Sequence, residues 1–416
     1  MLKRRMTFWG IITAALITAG LGTASGLEAQ KDEIAVGMAI SLSGKYDVLG
    51  SRNLQGARMW ADWVNEQRGI FVKERGKRLP VKLIWYDDKS DRDTVVQLTE
   101  KLIVEDRVDF IIGPYGSGLN LAALAVTERH GRMMLIHSGA SDNIWDRGYK
   151  YAIGVLTPSS GYYRSTLTML KTLEPKVKTV ALITEDEPFN RTIQAGLMRL
   201  LPKEGFRIVM NEVYPENAAD LSPILTRVKA INPDAILTSS HFRDGALLAT
   251  QAADRGVLPK FFALGSAPST LEWWKTVGPK GANATVATSQ WEPVDSPKPT
   301  AHPNWYGPKV TGKGFREWFK KKWGAGTDFR GVQTFASGLV LQWGIERAGS
   351  LNVEKVRRAL NDMDIMTFYG RSKIDPKTGL QEGHEMVVTQ WQNGKSVVVW
   401  PPELAEATLV YPMPAR

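Results

Sequence analysis

Two turns of small residues carry the groups in this chain best placed for chemistry. The apolar run Asp109-Phe110-Ile111-Ile112 stops at Gly113-Pro114-Tyr115-Gly116-Ser117-Gly118, and a helix-like segment follows from Leu119. About 24 positions beyond Ser117, the run Met133 to Ile136 ends the same way in His137-Ser138-Gly139-Ala140-Ser141. Each turn offers a serine hydroxyl and unpaired backbone N–H groups near the start of a helix. Unpaired amides and the helix dipole both favour negative charge, so the chemistry on offer is the capture of a carboxylate. A plain helix N-cap is the other reading of Ser117 and of Ser141. Two such strand ends, side by side in an open α/β sheet, assemble one site from two loops.

Bond-making chemistry finds little support. Ser141-Asp142-Asn143 and Lys377-Thr378-Gly379 match two of three penicillin-recognising motifs, but no serine has a lysine three positions on. There is no Gly-x-Ser-x-Gly elbow, and Gly113-x-x-Gly116-x-Gly118 lacks the dinucleotide spacing. The five histidines form no metal-ligand pattern. Asp87-Asp88, at a strand end, reads as a loop cap rather than a cation site. With no cysteine, disulfides, thiolate catalysis and thiolate zinc sites are excluded. The expectation is a protein that is not an enzyme and needs neither cofactor nor metal.

The N-terminus reads as an export signal over residues 1–26. Lys3-Arg4-Arg5 precede an apolar run from Phe8 to Leu21, and Thr23-Ala24-Ser25-Gly26 follow. The run is shorter than the ~20 residues of a membrane span. Without a cysteine to lipidate, an exported protein of this kind is expected in the periplasm, free of the membrane. The net charge is +10, and three of the positive charges lie in that signal. The remaining basic clusters, Arg75 to Arg78 and Lys320-Lys321-Lys322, lack the aromatic interleaving of a nucleic-acid surface and read as solvated faces.

The 416 residues are too many for one ordinary core, so two lobes are expected. The first half alternates strand and helix: strands at Ile34–Ile40, Val81–Tyr86, Asp109–Ile112 and Met133–Ile136, with helical spacing between them. After Tyr151 the alternation restarts, with strands at Val180–Thr184, Arg207–Val213, Ala235–Leu237 and Phe261–Leu264. That pattern predicts parallel sheets covered on both faces. A proline-rich stretch from Trp291 to Pro308 reads as an extended connection. Helices are predicted near 315–322, 333–348 and 353–361, then a hairpin around Asn393-Gly394 that needs a sheet edge to join.

The order of these segments resembles the periplasmic binding proteins of branched-chain amino acid ABC transporters, the leucine/isoleucine/valine-binding type. The marks are Ile40-Ser41-Leu42-Ser43-Gly44, Gly56-Ala57, Tyr86-Asp87-Asp88, Ile112-Gly113-Pro114 with Ser117, Ser138-Gly139-Ala140-Ser141 and Phe368-Tyr369-Gly370. The resemblance implies an α/β fold of two Rossmann-like lobes with parallel central sheets, joined by a three-crossing hinge. The crossings fall near residues 152–155, 289–291 and 365–368. Lobe one is then 32–152 with 292–366, and lobe two 153–291 with 367–416.

It also implies a function: a small-molecule ligand held between the lobes, hinge closure around it, delivery to an ABC permease in the inner membrane, and a monomer. In the family the first lobe grips the ligand's carboxylate, which here maps to Ser117, Ala140 and Ser141. In the second lobe, aromatic positions map to Phe189 and to His241 or Phe242. The acidic position that pairs a ligand ammonium falls on Ala267, which is no acid. Either Glu185, Asp186, Glu187 or Asp244 takes that role, or the ligand has no ammonium and is an aromatic or other organic acid. Phe189, Phe242 and Trp273-Trp274 would suit the latter. A sensing module for a membrane receptor is the alternative to a transport role.

Overall fold

The computed structural model describes residues 31–294, 305 and 308–414. The expected signal at 1–26, His302 and most of the proline-rich connection (Pro297, Pro299, Pro303) lie outside the described residues. Strand–helix alternation builds the first sheet. Its elements are β1 (Ile34–Ile40), α1 (Asp47–Glu66), the small hairpin β2 (Ile70–Val72) and β3 (Lys77–Leu79), β4 (Val81–Asp87), α2 (Arg92–Val104), β5 (Phe110–Ile112), α3 (Ser117–Arg129), β6 (Met134–Ile136) and β7 (Ala152–Gly154). The strand order is β4-β1-β5-β6-β7, all parallel. The central strands β1, β5 and β6 are buried along their whole length, as a sheet covered on both faces requires.

The second sheet follows α4 (Arg164–Leu170). It takes in β8 (Thr179–Glu185), α5 (Pro188–Lys203), β9 (Arg207–Tyr214), α6 (Ser222–Ile231), β10 (Ala235–Ser239), α7 (Phe242–Asp254), β11 (Phe261–Ala263), α8 (Trp273–Ala282) and β12 (Val286–Ser289). The chain continues with α9 (Gly312–Trp323), then α10 (Phe329–Ala348), which packs on α1, and α11 (Val353–Leu360), followed by the paired strands β13 (Asp364–Thr367) and β14 (Gly370–Lys373). The expected hairpin is β15 (Val387–Gln392) and β16 (Lys395–Trp400), turning on Asn393 and Gly394, both at positive φ. Its sheet edge is β12, to which β15 pairs antiparallel, giving the order β16-β15-β12-β11-β10-β8-β9.

Helices α1 and α10 pack at unusually close range. A Cβ at Gly56 would lie 2.0 Å from the Gly331 carbonyl oxygen, and one at Gly338 would lie 2.0 Å from the Trp60 ring. The close approach explains why glycine stands at Gly56 within a helix, where it costs about 1 kcal/mol of propensity.

At the end of β4, Asp87 accepts from Leu42 N–H, Ser43 N–H and Lys89 N–H, and Asp88 from Ser41 Oγ at 2.6 Å and Ser90 N–H at 2.8 Å. Both are loop fasteners, and among the described residues no group of three or more His, Asp or Glu is arranged to hold a metal ion. Burial pushes the Asp88 carboxyl up to about 6 from 3.8, against the opposing bonds from Ser41 and Ser90. The folded chain therefore keeps this proton in a window where the unfolded chain has released it, and the group's contribution to stability falls as pH rises from about 4 to about 6. Asp88→Asn keeps the acceptor oxygen and has no proton to lose. It should be more stable than the parent at neutral pH by on the order of 2–3 kcal/mol, with the gap closing near pH 4. Urea denaturation of both chains across that range measures it, and a gap that does not change with pH would exclude Asp88 as its source.

Candidate functional site

The turn after β5 is held from inside. Asn120 of α3 donates Nδ2 to Pro114 O and to Gly116 O, each at 2.8 Å. Gly116 sits at φ +85, a conformation that favours glycine, and caps α3 with no side-chain bond to its free amides. Ser117 is therefore the first helical residue and not the N-cap. Its Oγ accepts from Ser141 N–H at 3.0 Å, which ties the two small-residue turns together and leaves the hydroxyl hydrogen to donate. Ala140 lies beside it, nearly fully buried.

These turns form one wall of a cavity between the lobes. Tyr115, Gly116, Ser117, Ser138 and Ala140 line it from the first sheet. Leu156, Tyr162, Phe189, His241 and Ser266 line it from the second. Phe329 and Gln333 reach it from α10. The space between these residues not filled by atoms is about 300 Å³. Across the gap His241 lies 5.1 Å from Tyr46 and 5.8 Å from Tyr115; on its own side it lies 5.5 Å from Phe189, which lies 5.1 Å from Tyr162.

Behind the rings stands a buried acid. Glu187 caps α5, its Oε2 accepting from Phe189 N–H at 2.8 Å, with His241 Nε2 at 3.3 Å. Its Oε1 is buried without a partner. Burial pushes this carboxyl up, and the bond and charge of His241 with the two helix amides outweigh it, so Glu187 is held below the usual carboxylate range. Ion pairs, from buried to exposed, join the lobes. Lys45 reaches Glu185 at 2.5 Å and Glu216 at 3.1 Å, Arg52 reaches Glu272 at 2.8 Å, and Arg243 reaches Asp47 at 3.3 Å and Gly44 O at 3.0 Å.

Of the residues singled out from sequence, Ser117, Ala140, Phe189 and His241 come together in this cavity. Ser141 stands just outside it, donating to Pro188 O across the lobes at 3.2 Å. Phe242 is the first residue of α7 and is buried without lining the cavity. Ala267 is buried beneath α7, where a Cβ at Gly245 would touch it at 2.6 Å, and its neighbour Ser266 takes the place at the wall. Trp273 is buried, donating to Thr285 Oγ1 at 3.1 Å, and Trp274 stacks on Trp391 at 5.9 Å. Tyr115, Gly116 and Ser138 belong to the motifs already noted. Phe329 and Gln333 carried no signal, because helical spacing there indicates only core packing.

Comparison with known proteins places this architecture. A family model described as periplasmic binding protein matches residues 33–396. The Leu/Ile/Val-binding protein homolog 7 of Brucella suis is 23% identical over 412 residues, covering 96% of this chain and 98% of the relative. The solved structure of the leucine binding protein LivK from Thermotoga maritima superposes with a TM-score of 0.75 at 19% identity, covering 89% of this chain and 99% of that one. A solute binding protein of an ABC transporter from Rhodopseudomonas palustris BisB5, solved with 3,4-dihydroxybenzoic acid, gives a TM-score of 0.72 at 19% identity, covering 88% and 95%. At these identities the likeness of the solved structures is one of fold. Matched by the family model over most of its length, the chain belongs to the periplasmic binding protein family, and within it resembles the leucine/isoleucine/valine type.

Proposed function

We propose that this protein is the solute-binding component of an ABC importer, working in the periplasm as a monomer and passing its ligand to an inner-membrane permease without chemical change. The ligand is a small carboxylate-bearing molecule, an amino acid or a related organic acid. The observation that carries this reading is the cavity itself: an uncapped helix start with Ser117 on one lobe faces aromatic rings on the other. The carboxylate docks on the amides of α3 and on the Ser117 hydroxyl. The second lobe then closes Phe189, Tyr162 and His241 over the ligand's body. Only the closed form makes both sets of contacts, so ligand favours closure.

Two features bear on the ligand's class. Glu187, with a free carboxylate oxygen beside His241, supports an amino acid whose ammonium pairs there in place of an acid at Ala267. The rings of Tyr115, Tyr162, Phe189 and Phe329 support an aromatic acid. Thermal unfolding of the mature chain, after stripping by unfolding and refolding, against amino acids and aromatic or aliphatic acids tests the reading. A ligand at 100 times its Kd adds about 2.7 kcal/mol, a shift of several degrees. Silence across the panel would overturn it. Ser117→Ala should weaken binding of the responding ligand by about 1–3 kcal/mol, because a buried carboxylate loses a donor. Unchanged affinity would remove Ser117 from the site.

A further inference from the structure

We propose that Gln333 presents its amide oxygen to the bound ligand, and so selects carboxylates that also carry a hydrogen-bond donor, an N–H or O–H, on the body of the molecule. The inference rests on the carboxylate reading above and narrows it.

The orientation of the amide follows from a chain of hydrogen bonds behind the cavity. His137 is fully buried, and its Nε2 lies 2.8 Å from the Gly113 carbonyl oxygen, an atom that can only accept. Nε2 therefore carries the hydrogen. Burial pushes this imidazole down to about 4, so at neutral pH it is uncharged and Nδ1 is a bare acceptor. Two hydroxyls approach Nδ1: Ser138 Oγ at 2.8 Å and Thr334 Oγ1 at 3.1 Å. Thr334 Oγ1 accepts from Asn53 Nδ2 at 2.8 Å and donates to the Arg330 carbonyl at 2.9 Å, one turn back along α10, so the Ser138 hydrogen goes to an acceptor of its own, His137 Nδ1 at 2.8 Å or the more distant Asn53 Oδ1 at 3.5 Å. A serine hydroxyl has only one hydrogen. Toward Gln333, 2.7 Å away, Ser138 Oγ can only accept, and it meets the NH₂ end of the amide. Turned the other way, the amide would set two acceptors against each other.

The Gln333 oxygen is then left over. It is buried and has no partner, although both Gln333 and Ser138 line the cavity. A carboxylate lacking a donor leaves this acceptor stranded in a closed site, whereas a ligand with a donor satisfies it. Sites with a buried polar group of this kind reject analogues lacking the matching group far more strongly than apolar pockets do. The second lobe agrees in sign: Glu187 Oε1, beside cavity-lining His241, is also an acceptor without a partner.

Matched pairs test the inference by titration calorimetry: leucine and 2-hydroxy-4-methylpentanoate against 4-methylpentanoate, and 3- and 4-hydroxybenzoate against benzoate. In the parent chain the donor-bearing member of a responding pair should bind about 10- to 100-fold more tightly. Gln333→Met, close in size, should erase most of that difference by weakening the donor-bearing member alone. Ser138→Ala, which frees the amide to turn, should reduce the same preference and covers the case in which the methionine variant fails to fold. Carboxylates that bind without any preference for the donor, or a preference that survives both substitutions, would overturn the inference and leave the carboxylate reading standing. Binding of no carboxylate at all would overturn both.

Discussion

Replacing Lys45 with methionine is expected to weaken ligand binding by about 2–3 kcal/mol, roughly 30- to 150-fold. Lys45 follows β1 in the first lobe, and its partner Glu185 ends β8 in the second, with a side chain wholly shielded from solvent. Breaking a buried pair by removing one partner costs about 3–5 kcal/mol, because a charge is left unmatched away from water. Here the loss is trimmed, since Glu185 keeps bonds from His241 N–H at 2.8 Å and Asn190 Nδ2 at 3.2 Å. It is not abolished, because Lys45 also answers Glu216, and Asp244 stands close enough for its carboxyl to be pushed up to about 6 by burial and by the charge of Glu185. In the proposed hinge closure the cost falls on the closed form, which brings the lysine to the acids, so it appears as lost affinity rather than lost folding stability. Calorimetric titration of the parent ligand measures it, and small-angle scattering of the variant should show a more open chain. Lys45→Met with Glu185→Gln should regain much of the loss. An affinity within threefold of the parent for Lys45→Met would mean that closure draws nothing from this pair.

Gly56→Ala should cost about 3 kcal/mol or more of folding stability, although alanine is the better helix former by about 1 kcal/mol. The added carbon would sit 2.0 Å from the Gly331 carbonyl oxygen, a backbone atom that cannot swing aside as a side chain could. Helices α1 and α10 would have to part, loosening the Trp60 ring from Gly338 one to two turns further on. Because α10 also carries Phe329 and Gln333 to the cavity, affinity should fall with stability. Urea unfolding checks the first effect and calorimetry the second. A loss below about 1 kcal/mol would show that the helices separate at little cost.

The alternation of short apolar runs with helical spacing was enough to place most strands within a residue or two, because a strand covered on both faces must be apolar throughout. Boundaries are least legible where glycine falls in a helix's first turn, as Gly331 and Gly118 do. Residues Phe329 to Val332 were invisible as the first turn of α10, and Ser117 to Gly118 as the start of α3. The short hairpin of β2 and β3 hid under a basic cluster, since its charges face outward and only Ile70, Val72 and Leu79 turn in.

By itself the sequence determined two α/β units and the two small-residue turns, because turn chemistry and apolar patterning are local properties. Only the tertiary structure decided which side chains share the cavity. It set Ser266 at the wall and Ala267 behind it, brought Gln333 opposite turns nearly two hundred residues away, and closed Lys45 onto Glu185. Those placements depend on sheet order, on the helix contact at Gly56 and on lobe closure. Each joins residues far apart in the chain, and a reading along the chain has no term for such distances.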